Sequence, residues 1–133
     1  MTNTRHKILV VDDLPDWRAT LGGLLEDAGY DVQVAESSIA ALTLLKTDHF
    51  DLAVLDMRLD ETDESNIEGL DLAAEIKEHW PAIKVIIITA YSTTDTTRRA
   101  MEPDAQGRRL VANYIPKTQT EELVNIVQEV LVQ

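Results

Sequence analysis

Five polar residues in this chain stand where runs of apolar residues stop. Asp12 and Asp13 follow Lys7-Ile8-Leu9-Val10-Val11, and Asp56 closes Asp51-Leu52-Ala53-Val54-Leu55. Thr89 closes Lys84-Val85-Ile86-Ile87-Ile88, and Lys117 comes just after the run from Leu110 to Ile115. Three carboxylates held together repel one another unless a cation compensates them. A hard divalent ion is the natural compensator, and Mg²⁺, which prefers carboxylate, carbonyl and water oxygens, suits a few carboxylates at an exposed edge. An ammonium in the same place would neutralise the acids at rest and bind phosphoryl oxygens when they arrive. A carboxylate can also be the nucleophile of covalent phosphoryl transfer, and Asp56 is the candidate for that role. Singly, each residue has a plainer reading: a paired Asp caps or turns, a Lys after a strand is solvated, and a Thr finishes its strand. Only their joint position can carry chemistry.

The elements that must bring them together are legible in the same runs. Five short β-branched segments, at Lys7–Val11, Tyr30–Ala35, Asp51–Leu55, Lys84–Thr89 and Leu110–Ile115, predict five strands. The first, third and fourth are nearly continuous apolar runs, as strands covered by helices on both faces require, so a parallel sheet is expected. Helical spacing fills the gaps. Pro15 suits a first helical position, and Leu14, Trp17, Leu21, Leu24, Leu25 and Ala28 recur until Gly29 can end the helix. Ser37 or Ser38 can cap a second helix with Ile39, Leu42 and Leu45 inward. Leu70, Ala73, Ala74, Ile76 and Lys77 mark a third before Pro81, with Trp80 packing near its end. A fourth, from Ser92 to Arg99, has scarcely an apolar residue to bury and should be short or mobile. Thr118-Gln119-Thr120-Glu121 reads as a capping box opening a last helix striped by Leu123, Ile126, Val127, Val130 and Leu131. With right-handed crossovers, this alternation is a single α/β domain spanning residues 1–133, a three-layer doubly wound (βα)5 sandwich. Ligands in such sheets sit beyond the carboxyl ends of the strands, where all five polar residues fall.

Composition narrows the partners. With 12 Lys and Arg against 24 Asp and Glu, the formal charge of −12 repels nucleic acid phosphates, so no direct nucleic-acid binding is expected. No apolar run is long enough to span a bilayer, and residues 1 to 7 hold no apolar stretch suited to a signal peptide, so no membrane contact and a cytoplasmic location are expected. Cysteine is absent, which removes disulfides and thiolate chemistry. His6, His49 and His79 match no ligand motif and are expected at the surface.

The chain resembles the receiver domain of two-component response regulators over nearly its whole length. The resemblance rests on Ile8-Leu9-Val10-Val11-Asp12-Asp13, Asp51-Leu52-Ala53-Val54-Leu55-Asp56, Ile87-Ile88-Thr89-Ala90 and Tyr114-Ile115-Pro116-Lys117, matched in order and spacing. It implies a flavodoxin-like sheet with strand order 2-1-3-4-5. It also implies that Asp56 accepts a phosphoryl group from a histidine kinase or a histidine phosphotransfer protein. Asp13, Asp56 and the backbone carbonyl of Arg58 would ligate Mg²⁺ directly, with Asp12 acting through water. Lys117, Thr89 and the Ala90 amide would bind the phosphoryl oxygens, which matches the need to spread transition-state charge. Thr89 and Tyr114 would be the switch, biasing a face built from the fourth helix, fifth strand and fifth helix toward a downstream output protein or domain. A homodimer is also allowed.

Several positions depart from that family. Thr118 stands where a proline is usual. The stretch from Asp56 to Gly69 is longer than the usual loop and carries the acidic run Asp60-Glu61-Thr62-Asp63-Glu64, read as a solvated loop. Extra residues around Glu102 to Arg109 adjoin the output face, where Arg98, Arg99, Arg108 and Arg109 could lend positive charge. Arg58 and Tyr91 lie two residues beyond Asp56 and Thr89, where the resemblance implies that they would flank the approach of water, and they are expected to slow hydrolysis of an aspartyl phosphate. Two rivals differ in kind. A haloacid-dehalogenase-type phosphatase would need a second Asp where Arg58 stands and a cap domain that does not fit this length. A phosphorylation-independent interaction module would not need Asp12, Asp13, Asp56, Thr89 and Lys117 together.

Overall fold

Strands β1 (Lys7–Val11), β3 (Leu52–Asp56) and β4 (Lys84–Thr89) are buried along almost their whole length, which is why their sequences do not alternate. A computed structural model describes residues 6–57, 68–89 and 111–132. With β2 (Asp31–Ala35) and β5 (Asn113–Pro116), these strands form one five-stranded sheet in the order β2-β1-β3-β4-β5, every neighbouring pair parallel. Successive side chains point to opposite faces, so the same runs feed two cores. On one face, Leu9, Val11, Ala53, Leu55, Val85 and Ile87 pack against α2 (Ser38–Thr47) and α3 (Glu68–His79). On the other, Ile8, Val10, Leu52, Val54, Ile86 and Ile88 pack against α1 (Pro15–Asp27) and the C-terminal helix α4 (Leu123–Leu131). The three-layer sandwich and strand order are those the sequence led us to expect.

The chain leaves β1 for β2 on one side and returns to β3 on the other, so the strand order reverses between β1 and β3. Such a reversal opens a crevice beyond the carboxyl ends, where Asp12, Asp13 and Asp56 fall. Local chemistry sets the helix ends. Pro15 opens α1, and Gly29 follows it at φ +98°, a left-handed conformation that glycine tolerates best. Ser37 is the cap of α2, its hydroxyl accepting from the Ala40 amide at 3.1 Å.

Four expectations need correction. Ile39 is 79% exposed rather than inward, because α2 buries Ala41 and Leu45, and a residue two positions from Ala41 lies about 200° round a 3.6-residue turn. In α3, Ala74 is exposed and Leu72 is buried, since the helix seats Leu72, Ala73 and Ile76 on the sheet. The last strand starts at Asn113 rather than Leu110, and Leu110 lies outside the described residues. No capping box forms at Thr118 to Glu121. Residues Lys117–Glu122 make a 3-10 helix with non-helical angles at Gln119, and α4 starts only at Leu123, without a side-chain cap. Tighter 3-10 turns satisfy the amides there while the chain turns Lys117 into the interior. The expected fourth helix and the extra residues around Glu102 to Arg109 lie outside the described residues.

Candidate functional site

Burying a charge is unfavourable unless it is paired, so the few buried polar side chains identify where the fold has spent stability. Among the described residues they are Asp12, Asp56, Thr89 and Lys117, each 4% exposed or less. All four lie at the carboxyl rim. Asp12 follows β1, Asp56 ends β3, Thr89 ends β4, and Lys117 follows β5 at the start of the 3-10 stretch. Asp13 joins them half-buried, and one carboxylate oxygen each from Asp12, Asp13 and Asp56 lie within 4.8 Å of one another.

Lys117 supplies positive charge to this cluster. Its Nζ donates to Asp56 Oδ2 at 3.3 Å and lies 3.0 Å from Asp12 Oδ2. The second contact is an ion pair without hydrogen-bond alignment, since Asp12 Oδ2 accepts no hydrogen bond although it is buried. Among the described residues, one ammonium thus faces two buried carboxylates, with a third alongside. Clustered carboxylate oxygens around an unsatisfied buried oxygen fit a hard divalent cation. Asp12 is fixed from the other side: its Oδ1 accepts from the Leu14 amide at 3.0 Å, and its carbonyl accepts from Arg18 Nη1 at 2.9 Å.

The structure therefore brings together Asp12, Asp13, Asp56 and Lys117, and sets Thr89 on the same rim. Tyr114 is partly buried against the α2 and α3 core, its hydroxyl enclosed without a hydrogen-bond partner among the described residues. Arg58, Ala90 and Tyr91 lie outside the described residues, as does the acidic run 60–64. No cis peptide occurs in the described backbone, Lys117 to Thr118 included.

Three residues of the site escaped the sequence reading. Trp17 packs at the start of α1 as expected, but its ring also lies under Lys117, with Nζ 4.7 Å from the centroid. Its place one helical turn beyond Asp13 was the available signal. Arg18 has the same origin. Gly69 donates to the Met57 carbonyl at 2.9 Å, and a Cβ built on it would lie 1.9 Å from the Asp56 carbonyl oxygen. At the opposite edge of the sheet, His6 and His49 are exposed, as expected, and both approach Asp51, at 3.6 and 3.4 Å.

A doubly wound sheet with this acidic rim and buried lysine is the arrangement that the resemblance to the receiver class of signalling domains implied. A family model described as the response regulator receiver domain matches residues 8–128, and the chain belongs to that family, a signalling switch of two-component systems. Among curated proteins it is 38% identical over 116 residues to the alginate biosynthesis transcriptional regulatory protein AlgB of Pseudomonas syringae, covering 87% of this chain and 23% of that one. It is 39% identical over 105 residues to the transcriptional regulatory protein ZraR of Escherichia coli K12, covering 79% and 23%. The chain thus spans about a quarter of the length of these relatives. Among solved structures, a CheY-like receiver domain protein from Methanospirillum hungatei shares the fold, with a TM-score of 0.80 and 24% identity over 97% of this chain and 95% of that one. The response regulator TrrA from Thermotoga maritima, solved in complex with Mg²⁺ and BeF, has a TM-score of 0.73 and 31% identity over 94% and 98%. No helix among the described residues is long and apolar enough to cross a membrane.

Proposed function

We propose that Asp56 is the phosphoacceptor of this receiver and that the chain acts as one switch unit, residues 1–133, between a histidine phosphodonor and an output partner. The carrying observation is Lys117 Nζ held 3.3 Å from Asp56 Oδ2 in a buried acidic rim. A carboxylate oxygen of Asp56 attacks phosphorus in line, the new O–P bond forming as the N–P bond of a phosphohistidine breaks and the imidazole departs. Lys117 shifts its donation from Asp56 Oδ2 to a phosphoryl oxygen. The Thr89 hydroxyl and the Ala90 amide donate to the others, spreading the charge that develops. Asp13, Asp56 and the Arg58 carbonyl would hold Mg²⁺, with Asp12 reached through water. A divalent ion held there would offset the summed negative charge of carboxylates and phosphoryl group.

Thr89 then draws toward the aspartyl phosphate, and Tyr114 follows it, which biases the face beyond β5 toward its partner. The donor is a histidine kinase or histidine phosphotransfer protein. Because the curated relatives are transcriptional regulators about four times longer, the partner is an output domain or a separate output protein. The test is incubation with a small acyl phosphate and Mg²⁺, followed by intact mass. A phosphate-sized gain in the wild type and none in Asp56→Asn is expected; equal gain in both would reject Asp56. Continuous release of inorganic phosphate from small esters would instead revive a dehalogenase-type phosphatase.

A further inference from the structure

An ammonium that must leave one oxygen for another during a reaction needs a wall that holds it without competing for its protons. The face of an indole is such a wall. It attracts a cation through the ring quadrupole, yet offers no lone pair that the ammonium must be stripped from. Lys117 Nζ lies 4.7 Å from the centroid of Trp17, and the lysine side chain is 3% exposed. Its ion-pair partners among the described residues are the carboxylate oxygens Asp12 Oδ2 and Asp56 Oδ2.

The ring is itself held in register with the site. Trp17 is partly buried against the core under α1 and α4. The turn that carries it is tied to Asp12 twice, by the Leu14 amide at 3.0 Å and by Arg18 Nη1 at 2.9 Å. Past Lys117 the chain makes only 3-10 turns, broken in angle at Gln119, so the local backbone is a weak support for a long side chain.

We propose that Trp17 is a positioning residue for Lys117. Its indole face confines the ammonium to the rim, so that donation can pass from Asp56 Oδ2 to an incoming phosphoryl oxygen without the lysine swinging out to water. The inference rests on reading Asp56 as the phosphoacceptor. A cation over an aromatic face contributes an amount equal to a rate factor of roughly two- to thirtyfold.

The test has two arms. In the first, the full chain reacts with a small acyl phosphate and Mg²⁺, and the initial rate of phosphate gain is measured by intact mass. Trp17→Leu should be slower by the factor above, and Trp17→Phe, which keeps a weaker aromatic face, should recover much of the loss. Wild-type rates in Trp17→Leu, or equal losses in both variants, would overturn the proposal. If the wild type gains no phosphate, the phosphoacceptor reading fails as well, so the two failures are distinguishable. The second arm needs no phosphorylation. The chain has 2 tryptophans, so Trp80→Phe leaves Trp17 as sole emitter. Adding Lys117→Met should shift its emission and abolish the change produced by Mg²⁺ with beryllium fluoride. Identical spectra with and without Lys117 would refute the contact outright.

Discussion

Lys117 faces two carboxylates that are almost fully buried, as it is, and that arrangement has a stability consequence separate from catalysis. Asp12 is 0% exposed and Asp56 1%, so each needs a counter-charge. Removing one partner of a buried ion pair leaves the other uncompensated and costs about 3–5 kcal/mol. Lys117→Met should lose about that much stability in metal-free buffer, measured by urea unfolding. Millimolar Mg²⁺ should restore part of the loss in the variant, because a divalent ion held by the carboxylates would supply the missing positive charge. A variant as stable as the wild type without metal would mean that the ammonium contributes nothing to holding these carboxylates. Most of this site was readable from the sequence, because the residues terminate strands and a parallel sheet has one chemically useful edge. Trp17 was read only as packing, since a helix periodicity reports which way a ring faces and not what a distant strand places above it.

Gly69 joins two elements, β3 and α3, at backbone distance. A Cβ there would meet the Asp56 carbonyl oxygen at 1.9 Å and its carbonyl carbon at 2.7 Å, so the obstacle is main chain rather than a yielding side chain. Gly69→Ala should cost about 1–3 kcal/mol, as overpacking does, and should slow phosphorylation because the displaced peptide carries the proposed acceptor, Asp56. Unchanged stability would mean that α3 can retreat freely from the strand end. A second brace sits at the amino edge, where Asp48 takes the Lys7 ammonium and Gln33 Nε2, joining β1, β2 and the end of α2. The hydrogen bond from Lys7, then that from the His49 amide, holds the Asp48 carboxyl below the ordinary carboxylate value. A depressed folded-state pKa stabilises above the unfolded value, and the benefit disappears as pH falls through the folded one. The stability gap between wild type and Asp48→Asn should therefore be flat near neutrality and close in acid. A gap that widened in acid would contradict the sign. Neither brace was visible beforehand. The strands announced themselves by apolar runs, but Gly69 makes a close approach across elements, and Thr118 to Glu121 obeyed a capping pattern that burial of Lys117 overrode.

At the scale of the whole molecule, a formal charge of −12 makes the fold repel itself, and any salt will relieve some of that strain by screening. Stabilisation by Mg²⁺ is thus not by itself proof of a site. The two effects separate by mutation, since screening acts on all 24 Asp and Glu, whereas a bound ion answers to the cluster of Asp12, Asp13 and Asp56. An ion that binds only the folded chain adds about 1.4 kcal/mol for each tenfold rise in its concentration above Kd. At a constant high ionic strength set by NaCl, wild-type stability should climb with Mg²⁺ at that slope, and chelation should reverse the climb. Asp13→Asn removes a half-buried carboxylate charge from the rim while leaving the Lys117 pairs to Asp12 and Asp56 in place. It should keep the NaCl response of the wild type and lose most of the Mg²⁺ slope, as read from urea midpoints across a metal titration. If the variant retains the slope, the ion is acting on the general acidic surface and not on the rim.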